Sequence, residues 1–226
     1  MSDKAASLTS DQIDELLLSA RYGDLEDLES TLSPLITPTN ATDLLGSIKN
    51  EDDNTLLHYA SANGHLEVVE YLLPYTNLPL SLAQNISGNT PLHWAGLNGH
   101  LEVVKALVAH IEKLEVQNPE EAKKLNLIFH PKTPASASTH DAEDSEPKAD
   151  DGSERKLWDV RNSAGRGPMS EAQMREQESV VKFLLERMIE GPEGSTLQPA
   201  EPLPPKPSTD AVTVEEQTAN LSLKSN

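Results

Sequence analysis

Asn54-Thr55-Leu56-Leu57-His58-Tyr59-Ala60-Ser61-Ala62-Asn63-Gly64-His65-Leu66-Glu67-Val68-Val69-Glu70 returns 35 positions later as Asn89-Thr90-Pro91-Leu92-His93-Trp94-Ala95-Gly96-Leu97-Asn98-Gly99-His100-Leu101-Glu102-Val103-Val104-Lys105. A phrase repeated at that period marks a stacked repeat, in which each unit buries its apolar face only against its neighbours. Such stacks as a rule hold partners rather than turn over substrates. Thr55 and Thr90 stand where a hydroxyl caps a helix. Pro91 sits in the first turn, where no backbone donor is needed; Leu56 takes its place in the first copy. Leu57, Ala60, Leu92 and Ala95 face inward. Gly64 and Gly99 permit a left-handed turn between two helices. Leu66, Val68, Val69 and Leu72, with Leu101, Val103, Val104 and Leu107, bury against adjacent repeats. The predicted unit is helix-turn-helix.

Upstream, Arg21-Tyr22-Gly23-Asp24-Leu25-Glu26 is a degenerate copy of the same turn. Thr9-Ser10-Asp11-Gln12 reads as a capping box before Ile13, Leu16, Leu17 and Ala20. Residues 34–53 and about 74–85 read as connections, and the helical pattern after the second copy runs through Ile111 and Leu114 to Pro119. Downstream, Asn162-Ser163-Ala164-Gly165-Arg166-Gly167-Pro168-Met169 matches Asn85 to Leu92 in spacing. Ala172 falls where Ala95 does, and Val180-Val181-Lys182 where Val103-Val104-Lys105 do. Thr90 to Gly167 is 77 positions, so about forty residues are inserted before this last copy. The insert has almost no large apolar side chain until Leu157-Trp158, too little to offset its ordering entropy. Pro199 to Pro207 holds five prolines and reads as an extended linker. Val212-Thr213-Val214-Glu215-Glu216 to Leu221-Ser222-Leu223-Lys224 is too short to fold alone and would order only on contact. The predicted organisation is disorder over 1–9, three repeats over 10–129, a disordered acidic insert over 130–157, a degenerate C-terminal repeat over 158–191 and a disordered Pro-rich acidic tail over 192–226.

Eighteen Lys and Arg against 37 Asp and Glu give the 226-residue chain a formal charge of −19. That field repels nucleic acid and anionic membranes and attracts cationic proteins. The absence of cysteine excludes disulfides, thiolate metal sites and a cysteine nucleophile. No run approaches 18 apolar residues, and Met1-Ser2-Asp3-Lys4-Ala5 lacks the basic start and apolar run of a signal peptide. Neither direct nucleic-acid nor membrane binding is expected, and the expected location is cytoplasm and nucleus. His58 and His93 fit a role in hydrogen-bonding neighbouring backbone, and His65 and His100 in capping the inter-helix turn. Acid pairs such as Asp52-Asp53 have no apolar pocket beside them to shift a pKa. With no phosphate loop, nucleophile elbow or metal-ligand spacing, no catalytic residue, cofactor or metal is expected, and the chain reads as a non-enzyme.

These residues resemble the ankyrin repeat, whose motif is T-P-L-H-x-A-A-x-x-G-H-x-E-V-V-K-x-L-L. The second full copy departs at Gly96, where the family prefers Ala; the first departs at Asp53 and Leu56. The last keeps Gly165, Pro168 and Ala172 but has Ser170 at the His position and Glu176 at the inter-helix Gly. The resemblance implies an all-α ankyrin-repeat solenoid of about four helix-turn-helix repeats, carrying the acidic insert and tail. The acidic character, the phrase Leu92 to Gly99 and a tail with Glu215-Glu216 before Leu221 are similar to the fungal ankyrin-repeat chaperones of ribosome assembly dedicated to small-subunit ribosomal protein S-three. The long insert departs from them. This likeness implies a monomeric module that shields a basic ribosomal protein client along a negative inner wall. Ankyrin proteins bind with hairpin tips and the exposed side of the first helix, which here implies Arg21, Tyr22, Glu51, Asp52, Asn54, Tyr59, Asn63, Ile86, Asn89, Trp94, Leu97, Asn98, Met174 and Arg175, with Ala62, Ser87 and Arg166 beside them. The alternative is a generic scaffold or adaptor in signalling or transcription, for which Ser33-Pro34, Thr37-Pro38, Thr133-Pro134 and Pro202 to Pro207 speak.

Overall fold

The computed structural model describes residues 8–130 and 155–189. Each copy of the repeated phrase folds as two antiparallel helices. In chain order the helices are α1 (Ser10–Tyr22), α2 (Leu25–Leu32), α3 (Ala41–Ser47), α4 (Leu56–Asn63), α5 (Leu66–Leu72), α6 (Leu78–Ser81), α7 (Pro91–Asn98), α8 (Leu101–Gln117), α9 (Pro119–Phe129), α10 (Pro168–Met174) and α11 (Glu178–Ile189). The pairs α1–α2, α4–α5, α7–α8 and α10–α11 stack in register: α1 packs on α4, α4 on α7 and α7 on α10, while α5 packs on α8 and α8 on α11. This is the four-repeat, all-α stack the sequence implies. Leu28, Ala60, Val68, Val69, Ala95, Val104, Leu107, Val180 and Leu184 are completely buried in one core that runs through all four repeats. The expected disordered segments lie outside the described residues except at their edges. There, Thr9 caps α1 and Leu157 is buried. No helix among the described residues is long and apolar enough to cross a membrane.

The turns explain one departure from the repeat. Gly23, Gly64 and Gly99 have φ of 78°, 76° and 77°. A Cβ at any of them would collide with a side chain of the following repeat: the ring of His65, the ring of His100 and the amide of Gln177 respectively. His65 and His100 therefore do something other than the predicted capping. Neither makes a side-chain cap bond to its own helix. Instead His65 Nε2–H donates to the Arg21 carbonyl at 2.9 Å and His100 Nε2–H to the Ala62 carbonyl at 3.0 Å, each gripping the repeat before it. Glu176 holds the same left-handed turn in the last repeat at φ 57°. No further repeat among the described residues covers it, so its Cβ has room and only the backbone penalty remains. Glu176→Gly is expected to stabilise the chain by about 0.5–1 kcal/mol, the αL relief less the added unfolded-state entropy. A denaturant titration checks this, and a loss of stability would contradict it.

Gly96 stands at a close approach, since a Cβ there would lie 3.0 Å from the Pro168 carbonyl oxygen as α7 meets α10. The predicted connections hold more structure than their sequence suggests. Residues 34–53 contain α3, and the stretch after Leu72 contains a 3-10 turn (Leu73–Tyr75) and α6, whose N-cap Asn77 accepts from Leu80 N–H at 3.0 Å. Pro119 opens α9 instead of ending the helical region, because a proline at the first helical position loses no hydrogen bond. Beyond the insert, Trp158 is completely buried, and its indole N–H donates to Glu112 Oε1 at 3.3 Å. Arg187 also pairs with Glu112, so one carboxylate ties α8, the post-insert segment and α11 together.

Candidate interaction surface

The tips that precede α4, α7 and α10 are built on one residue type. Asn50, Asn85 and Asn162 each close a turn by donating backbone N–H to the carbonyl four residues on, at 3.1, 3.0 and 2.9 Å. Their side-chain oxygens accept from the N–H of Asn54, Asn89 and Arg166 at 2.8, 3.0 and 3.0 Å. Their amides then reach other groups: Asn85 donates to Asn54 Oδ1 at 2.8 Å, Asn162 to Asn89 Oδ1 at 2.9 Å, and Asn50 to the Tyr59 hydroxyl at 3.1 Å. Backbone bonds from Ile86 to Asp52 and from Ser163 to Ser87, both 3.0 Å, complete the ladder. Asn54 and Asn89 thus join one tip to the next.

Two buried imidazoles hold the tips to the helices. Thr55 N–H donates to His58 Nδ1 at 3.2 Å, and His58 Nε2–H donates to the Asn89 carbonyl of the next repeat at 3.0 Å. Thr90, His93 and the Arg166 carbonyl repeat this arrangement at 3.1 and 3.0 Å. Because Nδ1 accepts and Nε2 donates, both rings must be neutral. Burial pushes each down to about 4, against opposing backbone hydrogen bonds. The last repeat lacks this pair, having Gly167 and Ser170 instead. Glu171 there stands at the position of Trp94, nearly buried, and accepts at 2.7 Å from both Arg166 Nε and Asn162 Nδ2. Burial alone would raise its carboxyl, but those hydrogen bonds and the Arg166 charge hold it below the ordinary carboxylate value.

Asn89, His93, Trp94, Leu97, Arg166, Glu171, Met174 and Arg175 line a groove of about 470 Å³ between α7 and α10. Five of the fourteen residues implied by sequence therefore converge here: Asn89, Trp94, Leu97, Met174 and Arg175. Met174 is 63% exposed, and Trp94 and Leu97 are half-buried. The others spread along the same face. Arg21 and Tyr22 end α1, with Tyr22 73% exposed; Glu51 and Asp52 are exposed on the first tip, and Ile86 on the second. Tyr59 is half-buried under the Asn50 bond, Asn63 is exposed and donates to the Tyr59 carbonyl at 2.8 Å, and Asn98 bridges to the Ala62 carbonyl at 2.7 Å. Sequence reasoning missed Glu171 and Asn162, which set the position of Arg166.

The wall is not uniformly negative. Residues 8–130 carry eighteen acidic against six basic side chains, whereas 155–189 carry five against seven. The first helix and first tip (Asp11, Asp14, Glu15, Glu51, Asp52) are acidic, and the α7–α10 groove ends in Arg166 and Arg175. The −19 total is thus concentrated away from the last repeat.

The family model for ankyrin repeats (3 copies) matches residues 16–118. The fourth helix pair lies beyond that match and is evident from its stacking. Over 61 residues, 26% of this chain, the sequence is 44% identical to the ankyrin repeat-containing protein YAR1 of Saccharomyces cerevisiae, and the match spans only 28% of that relative's length. Among solved structures, the fold is similar to a chain from the crystal structure of the yeast ribosomal protein Rps3 in complex with its chaperone Yar1. There the TM-score is 0.53 at 28% identity, covering 83% of this chain and 99% of that one.

Proposed function

We propose that this chain, whose residues 16–118 match the ankyrin-repeat model, is a dedicated chaperone for a small-subunit ribosomal protein of the Rps3 type, shielding its basic surface before assembly. The observation that carries this reading is the likeness to the Yar1–Rps3 complex over almost the whole matched chain, joined to the local sequence identity in the repeats. The charge distribution supports it: residues 8–130 carry eighteen acidic against six basic side chains, a field that attracts a cationic client. In this reading the client meets the face from Tyr22 across Glu51, Asp52 and Ile86 towards Trp94, with the acidic tips setting the association rate and the aromatic and aliphatic side chains anchoring it. The protein acts as a monomer in cytoplasm and nucleus, without catalysis, cofactor, nucleic-acid or membrane contact of its own.

Reversing Glu51 and Asp52 to lysine removes acidic charge from an exposed tip without touching the core. Titration calorimetry against purified Rps3 is expected to give about tenfold weaker binding at low salt, and a smaller difference as salt screens the rim charges. Unchanged affinity at low salt would show that this tip does not face the client.

A further inference from the structure

We propose that the α7–α10 groove is a second docking site, one that takes an acidic segment with apolar side chains from a partner protein other than the basic client. Three of its lining residues are apolar: Trp94, Leu97 and Met174. Met174 is 63% exposed, and an unbranched thioether adapts its shape to an occupant. Two other lining residues are arginines whose guanidinium groups are not used up inside the described chain. Arg166 gives its Nε to Glu171, which fixes its position, while neither Nη makes a hydrogen bond among the described residues. The guanidinium of Arg175, exposed at the end of α10, makes none among them either.

An unpaired guanidinium is a planar fork of donors matched to a carboxylate. Glu171, the one acid among the described residues that lines the groove, already accepts from Arg166 and Asn162. Glu176 and Glu178 follow on the way into α11 but do not line it. Residues 155–189 carry seven basic against five acidic side chains, whereas residues 8–130 carry six against eighteen. A cationic segment is therefore drawn to the first three repeats and an acidic one to the last, so the two occupants sort by charge. Nucleic acid also offers anions, but the −19 field opposes so dense a polyanion. An acidic peptide anchored by a few apolar side chains fits what lines the groove. The inference stands whether or not the client is Rps3.

The test selects a display library of random short peptides on the immobilised full chain and discards whatever the Arg175→Glu variant also retains. Arg175 is exposed, so the variant keeps the helix stack, which circular dichroism checks. Basic peptides held by the first three repeats bind both forms and drop out. The survivors are expected to be rich in Asp and Glu, with Leu, Phe or Trp between them. The most enriched peptide, fluorescein-labelled, is expected at low salt to bind Arg175→Glu about tenfold more weakly than the unaltered chain. Lys182→Glu makes the same charge change on α11 outside the groove and is expected to stay within about twofold. In 15N-labelled chain the peptide is expected to shift the indole signal of Trp94, whose N–H has no acceptor among the described residues. The signal of Trp158, which donates to Glu112, is expected to stay in place. No surviving peptide, survivors without an excess of acid, equal losses in Arg175→Glu and Lys182→Glu, or an unmoved Trp94 signal would overturn the proposal. So would a single-stranded oligonucleotide that displaces the peptide at lower concentration than the unlabelled peptide does, which would make the groove a nucleic-acid site.

Discussion

Trp158→Ala is expected to destabilise the protein by about 3–5 kcal/mol, the range for deleting a fully buried tryptophan. Trp158 has no exposed surface and is the first large side chain after the insert. Its removal opens a cavity against α8 and takes from Glu112 one of the two donors that link three segments. In a stack whose repeats contact only their neighbours, the loss falls first on the terminal unit. Amide exchange in α10 and α11 is therefore expected to accelerate far more than in α4 and α5. A denaturant midpoint within experimental error of the wild type, or uniform acceleration across all repeats, would contradict this placement of Trp158.

Acid is the second large lever. His58 and His93 are held neutral, each pushed from 6.5 to about 4 by burial. A histidine whose folded pKa is depressed stabilises the fold above its unfolded pKa and loses that contribution as pH falls through the folded one. The window is therefore about pH 6.5 down to 4. Each ring contributes about 3 kcal/mol across it, an order-of-magnitude figure. Protonation at Nδ1 also sets a proton against the Thr55 or Thr90 N–H that donates there. Asp159 and Glu115, whose carboxyls burial pushes up, gain stability on protonation and offset part of the loss. Thermal melting between pH 7 and 4 is expected to show a steep fall, reduced in His93→Gln relative to that variant's own stability at pH 7. A flat profile would mean that the two rings do not need to be neutral.

Much of the stack was legible because the repeat states its own rules. Thr-Pro at a helix start, glycine at the left-handed turn and aliphatic residues on one face each have a local physical reason, and two nearly complete copies show them at once. What escaped depends on neighbours. His65 and His100 look like local caps from sequence, yet they pack over the glycine of the repeat before them, 42 and 36 residues away. Asn54 and Asn89 look like exposed tip residues, yet their side-chain oxygens are claimed by Asn85 and Asn162. Helix α9 was hidden behind Pro119 because proline both ends and begins helices, and only the buried Ala122 with partly buried Leu125 and Phe129 resolves which.

Of the candidate site residues, Trp94, Leu97, Met174 and Arg175 line one groove, since equivalent positions in successive repeats must lie side by side. Its electrostatics were misjudged. A total of −19 suggested a negative wall throughout, but counting by segment gives the last repeat an excess of basic residues. Glu171, in the position of a tryptophan, is the residue that orients Arg166.

The most direct test is to mix the purified full-length chain with equimolar Rps3 at low ionic strength and follow it by sedimentation velocity. A discrete one-to-one complex is expected, keeping Rps3 in solution and dissociating as salt is raised. Free chain beside aggregated Rps3 at the lowest salt tested would contradict the chaperone reading outright.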